Sequence, residues 1–213
     1  GTIPQFTSCC PAWVRFAEIY FPELLPNISS TRSCIAMEAA MIKTYFAEKK
    51  GIDPRNIVSV SVNPCTAKKA ETKREEQNAA ARYHNDESLG LDTDISITTR
   101  EFIYWLNDEN VDFESLEDSQ FDDLIGMETG ASIIFGNTGG VMEAAMRTAY
   151  KLVTDKEPPP YALTHLEDVR GMDGVKEATV QLGDDLTLSV AVVHGGKNTR
   201  DFLNALKENG KHY

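Results

Sequence analysis

The sequence lacks an apolar run long enough to cross a bilayer, which takes about 20 consecutive residues. Its first residues also lack the basic region and the continuous apolar stretch of a secretory signal peptide. Basic residues are scarce: 21 lysines and arginines stand against 33 aspartates and glutamates, so the net charge is −12. A nucleic-acid surface needs a basic stripe, so we expect neither a nucleic-acid partner nor a membrane span. An acidic surface would suit a partner that presents lysines, although it is more often simply solvated.

Cysteine is scarce as well, and all four cysteines lie in the first third of the 213-residue chain: Cys9, Cys10, Cys34 and Cys65. A secreted disulfide scaffold would be shorter and would spread its cysteines more evenly, so the clustering favours metal or redox chemistry. The adjacent Cys9 and Cys10 are poor partners for each other, because so small a ring strains a disulfide. The alternative is that some of the four are buried core thiols. Cys34, inside an apolar helical stretch, fits that alternative best.

Apolar periodicity alternates between helix and strand along the chain, which predicts an α/β fold. Helices are expected to begin where Pro11 suits a first turn and where hydroxyl residues can act as caps. Gly51 is expected to end the second helix. The expected helices are residues 11–20, 33–50, 99–109, 141–147 and 199–208, and the expected strands are residues 57–62, 94–98, 131–135, 175–182 and 186–193.

Other stretches carry weaker signals. Residues 68–90 are polar and charged, so we expect a helical start followed by an exposed loop. The acidic residues 112–123 should lie on the surface, held by isolated apolar side chains at Phe113, Leu116 and Phe121. The helix after Thr99 is expected to turn four apolar side chains inward, namely Phe102, Ile103, Trp105 and Leu106.

A glycine-rich turn, residues 136–140, follows the expected strand at residues 131–135 and precedes a helix. Such a turn presents backbone N–H groups and the positive end of a helix dipole. The spacing of its glycines matches neither phosphate-binding fingerprint, the Walker nor the Rossmann motif. The turn therefore either cradles another group or allows close packing.

Two segments carry a more specific pattern: TSCCP at residues 7–11 and PCTAKKAE at residues 64–71. Further matching segments follow in the same order, at residues 52–54, 98–101, 129–131, 136–145, 169–171 and 176–178. On these motifs the chain resembles, over essentially its whole length, the H-cluster domain of the iron-only (FeFe) hydrogenases. The resemblance implies helices flanking small, mostly parallel sheets in two lobes, which would divide near residues 125–130 with the cluster site between them.

The same resemblance implies reversible hydrogen oxidation and proton reduction at an H-cluster. That cofactor is a 4Fe–4S cluster joined through a cysteine to a two-iron azadithiolate unit with CO and cyanide ligands. By position, Cys10 and Cys65 would be two of the four cluster ligands. Cys9 would be the thiol that passes protons to the bridging amine, and Lys68 would hold a cyanide. The other implied positions are Ser29 on the proton path and Ser33, Asn63, Phe135 and Gly136 in the cofactor pocket.

The chain also departs from the family pattern. The family usually has Pro, Gln and Met at the positions of Cys34, Ile35 and Asn63, which changes the polarity beside the two-iron unit. The third cysteine motif, with the other two ligands, would follow Tyr213. We therefore expect a partial domain that is inactive alone and needs the remaining segment to hold the H-cluster. The resemblance further implies ferredoxin or an electron-transfer subunit or domain as partner, in the cytoplasm of an anaerobic prokaryote.

Two other functions stay open at this point. A sensory or regulatory hydrogenase-like protein would bind hydrogen at the same site with little turnover. The pocket departures favour that function, whereas the presence of Cys9 opposes it. A non-catalytic relative in iron–sulfur protein assembly would share the fold without the two-iron unit. Lys68 and Cys9 together oppose that class.

Overall fold

The computed structural model describes residues 3–126, 129–158, 167–168, 174–182 and 186–209. It has the predicted α/β class, with small sheets and surrounding helices. None of the helices in these ranges is long and apolar enough to span a membrane. The elements are α1 (Pro11–Tyr20), α2 (Cys34–Met41), α3 (Ala47–Lys50), β1 (Val60–Asn63), α4 (Ala67–Glu71), α5 (Ala79–His84), β2 (Ile95–Thr98), α6 (Thr99–Asp108), α7 (Gly130–Phe135), α8 (Gly140–Thr154), β3 (Glu167–Asp168), β4 (Val175–Leu182), β5 (Leu186–Val193) and α9 (Gly196–Asn209).

The chain forms two compact units. The cysteine unit comprises residues 8–20 and 30–127, and the hairpin unit comprises residues 1–7, 21–29 and 128–213. The two units alternate along the amino-terminal part of the sequence instead of separating at one point. The expected pair of lobes dividing near residues 125–130 therefore stays a prediction.

In the cysteine unit, the predicted helix over residues 33–50 is a continuous helical run with an irregular middle. A five-residue π-helical segment, Ile42–Phe46, joins α2 to α3. The run ends at Gly51, whose φ of +65° lies in the left-handed region that glycine adopts without strain. This segment contains the buried Lys43, and the Lys43 Nζ lies 2.8 Å from the Asp94 carboxylate.

Strands β1 and β2 of the cysteine unit pair in parallel, with Ser61 opposite Ser96 and Asn63 opposite Thr98. Thr98 then starts α6: its hydroxyl accepts the Glu101 N–H, and the Glu101 carboxylate accepts the Thr98 N–H. This reciprocal capping box fixes the direction in which α6 leaves the sheet. The helix predicted over residues 99–109 is therefore observed as α6, with Thr98 as its cap.

Along β1 the buried face is polar and the exposed face is apolar, the reverse of an ordinary amphipathic strand. Ser59, Ser61 and Asn63 are buried. The apolar side chains of Val58, Val60 and Val62, on the other face, are 66%, 51% and 45% exposed. An exposed face of β-branched residues is typical of a surface that another segment or protein covers.

The hairpin unit contains the antiparallel sheet β3-β4-β5. The predicted hairpin of β4 and β5 is therefore confirmed, although its turn, residues 183–185, lies outside the described residues. Val180, Leu182 and Val190 form its core, against which Met142 and Met146 of α8 pack. Parallel pairing is confined, among the described strands, to β1 and β2.

The strand predicted at residues 131–135 is wrong, because this segment is helix α7. A five-residue segment with four apolar residues is too short for a periodicity that separates a strand from a helix, and Ile133 is 76% exposed instead of buried. The turn at residues 136–140 therefore joins two helices. A Cβ on Gly140 would lie 1.8 Å from the Ile134 carbonyl oxygen, so glycine is required there for close packing.

Three further predictions about the cysteine unit need correction. Residues 68–90 are not mainly a loop, because α5 forms there and buries Ala80 and Ala81. The apolar side chains expected to hold residues 112–123 are exposed, Phe121 fully so. Helix α6 has no buried residue, and Ile103 and Trp105, expected inside, are about half exposed.

Candidate active site

The two cysteine-containing motifs meet in the cysteine unit. The Lys68 ammonium, on α4, donates a 2.9 Å hydrogen bond to the backbone carbonyl of Cys9. Lys68 lies there because β1 ends at Asn63 and α4 begins four residues later, at Ala67. On the other side, α1 begins directly after Cys10. The contact joins positions 59 residues apart in the sequence.

Glu71, a residue without a predicted role, completes this contact. Its Oε2 lies 2.8 Å from Lys68 Nζ, and the two side chains are only 8% and 14% exposed. The signal was present in the sequence, since residues three apart on a helix face each other. Burying a carboxylate is costly unless it is paired, and Glu71 is paired with Lys68 at the motif junction.

Cys9 is half-buried and free. Partial burial raises the pKa of the Cys9 thiol above its ordinary value, and the neighbouring thiols of Cys34 and Cys10 raise it further. The Lys68 ammonium acts in the opposite direction but does not cancel these effects. At neutral pH Cys9 is therefore a protonated thiol, the form that can donate a proton.

The other three cysteines are also free thiols: Cys65 is half-buried, while Cys10 and Cys34 are exposed. Cys34 is the first residue of α2, and the expectation that it is a core thiol is wrong. Across the described part of the chain, no group of three or more His, Cys, Asp or Glu side chains is placed to hold a metal ion. Thiolates bind iron–sulfur clusters, and the two expected ligands, Cys10 and Cys65, are both free thiols.

Two expected pocket positions carry buried polar atoms without partners. Ser33 Oγ and Asn63 Nδ2 are shielded from solvent, and neither has a hydrogen-bond partner among the described residues. Such atoms are rare in folded proteins and call for a bound group or water. Both lie next to cysteines, Ser33 before Cys34 and Asn63 two residues before Cys65. The pair fits a site that binds a polar cofactor.

The remaining expected site residues belong to the hairpin unit. The Ser29 N–H donates to the Phe6 carbonyl at 2.8 Å. Phe135 is half-buried at the end of α7, and Gly136 is the exposed residue that follows it. Their roles stay predictions.

A buried carboxylate, Asp92, supports the cysteine unit near the site through an ion pair and two backbone hydrogen bonds. Arg32, adjacent to Ser33, donates to the buried Asp92 at 2.8 Å. Asp92 also accepts the N–H groups of Ala79 and Ala80, and so caps α5 from a distance. These contacts fix the segment that leads into α2. Nothing in the sequence spacing identified Asp92, which lies 60 residues from Arg32.

Comparison with known proteins places this geometry in a family. The whole chain, residues 1–213, matches the family described as iron only hydrogenase large subunit, C-terminal domain. It is 45% identical over 205 residues to the periplasmic Fe hydrogenase large subunit of Nitratidesulfovibrio vulgaris, with 96% of this chain and 46% of that protein covered. It is 42% identical over 219 residues to iron hydrogenase 1 of Clostridium pasteurianum, with 100% of this chain and 35% of that protein covered.

Among solved structures, the chain is similar to the apo FeFe-hydrogenase HydA1 of Chlamydomonas reinhardtii, variant C377H. The TM-score is 0.81 at 35% identity, over 99% of this chain and 57% of that one. A cytosolic Fe–S cluster assembly factor, narfl of Xenopus tropicalis, is 27% identical over 97% of this chain and 42% of its own length. The chain spans about half or less of the length of the curated relatives named here.

Proposed function

The chain belongs to the family of the iron-only hydrogenase large subunit, C-terminal domain, and on that premise we propose that it forms part of a hydrogen-metabolising catalytic domain. The proposed reaction is the reversible reduction of two protons by two electrons to one molecule of hydrogen. The observation that carries the proposal is the contact from Lys68 Nζ to the Cys9 carbonyl, which brings both cysteine motifs together.

The donor set supports binding of an H-cluster. Cys10 and Cys65 would supply two thiolates to the 4Fe–4S cluster, and the unpartnered atoms of Ser33 and Asn63 would face polar parts of the cofactor. When bound, the H-cluster supplies the iron at which protons and electrons combine. Because two thiolates are only half of a cluster's ligand set, the proposal requires two more ligands from the rest of the protein.

Lys68 and Cys9 would carry the chemistry of the protein itself. An ammonium has three N–H donors, and the contacts to Cys9 and Glu71 use two of them. The third would bind an anionic cyanide ligand of the two-iron unit. Cys9, kept protonated by its raised pKa, would pass a proton between the site and the path that includes Ser29.

The exposed apolar face of β1 supports the proposed partner segment. Val58, Val60 and Val62 leave a β-branched face in contact with solvent, and among the described residues β1 pairs with β2 in a two-stranded sheet. Two strands alone bury little apolar area. We propose that the remaining H-cluster segment, with the other two cysteines, packs on this face.

The electron partner and the location follow from the family less directly. Ferredoxin or an electron-transfer subunit or domain would supply electrons. A relative 45% identical over 201 residues, from Solidesulfovibrio fructosivorans, is named as a subunit of an NADP-reducing hydrogenase. Clustered free cysteines favour a cytoplasmic location, although the Nitratidesulfovibrio vulgaris relative is named as periplasmic.

Loading the complete protein with a synthetic two-iron cofactor tests the proposal against the two alternatives. Infrared bands of CO and cyanide together with vigorous hydrogen evolution from reduced viologen are the expected result. Bands with feeble evolution would instead indicate a sensory protein. A complete protein that shows no bands would overturn the proposal and favour the assembly function. The chain is less similar to the assembly factor named above, at 27% identity, than to the hydrogenases.

A further inference from the structure

Three serine hydroxyls, those of Ser61 in β1, Ser96 in β2 and Ser59 directly before β1, lack a hydrogen-bond partner among the described residues. The Oγ atoms of Ser59, Ser61 and Ser96 are shielded from solvent, and no described residue accepts from them or donates to them. A buried hydroxyl without a partner destabilises a fold, and most such groups in proteins bind a protein atom or an ordered water. None of the three is at a position assigned to the cofactor pocket.

The spacing of Ser61 and Ser96 suits a single water molecule. The two residues are opposite each other in the parallel register, and neighbouring strands lie about 4.8 Å apart. A water about 2.8 Å from each of two oxygens, at a near-tetrahedral angle, spans about 4.6 Å. A direct hydroxyl–hydroxyl bond would need the two oxygens about 2 Å closer than the strand separation. The geometry therefore matches a bridged pair.

The row of polar groups continues in both directions along β1. Two residues before Ser61, the Ser59 N–H donates to the Asp94 carboxylate at 2.7 Å, and the Asp94 side chain is 34% exposed. Two residues after Ser61, the buried Asn63 Nδ2 has no partner among the described atoms. Alternate residues of a strand share a face, so Ser59, Ser61 and Asn63 form one line.

We propose that a row of bound water molecules occupies this face, with one water between Ser61 and Ser96, one at Ser59, and one at Asn63 through which the amide would face the cofactor when that group is bound. Water can donate to a hydroxyl oxygen and accept from the Asn63 amide, whereas a cation could not bind the Nδ2 donor. Buried waters usually make about three hydrogen bonds, which this face can supply. The row gives the candidate site a polar connection to Asp94. It requires only the folded cysteine unit and does not depend on the proposed reaction.

Whether Ser61→Ala lowers or raises the Tm of the complete protein tests for the row of waters. If Ser61 binds water, Ser61→Ala removes a hydrogen bond and lowers the Tm of the complete protein, by up to about 4 °C. If the face is dry, the same substitution removes an unsatisfied hydroxyl and raises Tm. Ser189→Ala, at an exposed position of β5, is the matched control and should leave Tm unchanged. A Tm of Ser61→Ala equal to or above that of the parent protein would overturn the proposal.

A crystal structure of the complete protein tests the positions of the waters. Density within hydrogen-bond distance of both Ser61 Oγ and Ser96 Oγ is the expected result. If both serines are well ordered and no water peak lies between them, the proposed row of waters is contradicted. Asn63→Leu should remove the water at Asn63 and keep the one between the serines.

Discussion

Breaking the Lys68–Glu71 pair should destabilise the cysteine unit strongly. The two charges lie 2.8 Å apart, and their side chains are 14% and 8% exposed. Removing one partner of a buried pair leaves an uncompensated charge and costs about 3–5 kcal/mol. In Glu71→Gln, Lys68 keeps its bond to the Cys9 carbonyl, so its charge is not left wholly unpaired. We therefore expect this variant to lower the free energy of unfolding by about 3 kcal/mol, the lower end of that range.

The chain offers a matched control in the next lysine. Lys69 pairs with Glu101 at 2.6 Å, but these side chains are 38% and 47% exposed. Exposed pairs contribute little because water screens them, and glutamine can keep the capping contact of Glu101. Urea unfolding of the complete protein, extrapolated linearly to water, should therefore show only a small loss for Glu101→Gln. Equal losses for the two variants would refute the reasoning.

A double variant separates charge burial from packing. Lys68→Met/Glu71→Leu removes both charges, so no unpaired charge is left inside the protein. Replacing a buried pair by apolar residues is often neutral, so the double variant should regain most of the stability that Glu71→Gln loses. A double variant as unstable as the single one would show that shape, not charge, dominates at this position.

Other predictions concern the framework of the cysteine unit and are measured by denaturant or thermal unfolding. Asp92→Ala should cost about 3 kcal/mol, because the 1% exposed carboxylate accepts two α5 amides and a guanidinium; a loss below about 1 kcal/mol would contradict this. Gly51→Ala should cost about 1–2 kcal/mol from backbone strain alone, since a Cβ would contact nothing, and an unchanged Tm would be the contrary result. A hydrogen bond from Arg74 lowers the pKa of Glu18 below its ordinary 4.5. The stability from this pair is therefore present above that value and lost as the pH falls through the folded pKa, so Glu18→Gln should flatten the acid limb of the stability–pH curve. An unaltered acid limb would exclude the pair as its source.

Several helix ends and the β4–β5 hairpin could be predicted from local chemistry. Pro11 starts α1, Gly51 ends α3 and the alternating β4 and β5 form their hairpin, because each signal acts within a few residues. The failure at residues 131–135 has the opposite cause. A short apolar run forms either helix or strand according to its tertiary surroundings, and here it became α7.

In the candidate site, too, local motifs could be predicted from the sequence and long-range contacts could not. The motifs around Cys9 and Lys68 indicated the junction, and the structure joins them through one hydrogen bond. Long-range partners such as Asp92, 60 residues from Arg32, carry no periodic signal and appear only in the fold. The inner polar face of β1 was missed because its alternation predicted a strand but not which face is buried.

Hydrogen evolution by the cofactor-loaded complete protein, compared with its Cys9→Ser variant, tests the central claim most directly. The infrared bands of CO and cyanide serve as the control for loading in both proteins. The parent protein should evolve hydrogen from reduced viologen, and Cys9→Ser should keep the bands and lose most of the rate. A loaded parent protein that evolves no hydrogen, or a fully active Cys9→Ser variant, would contradict the account.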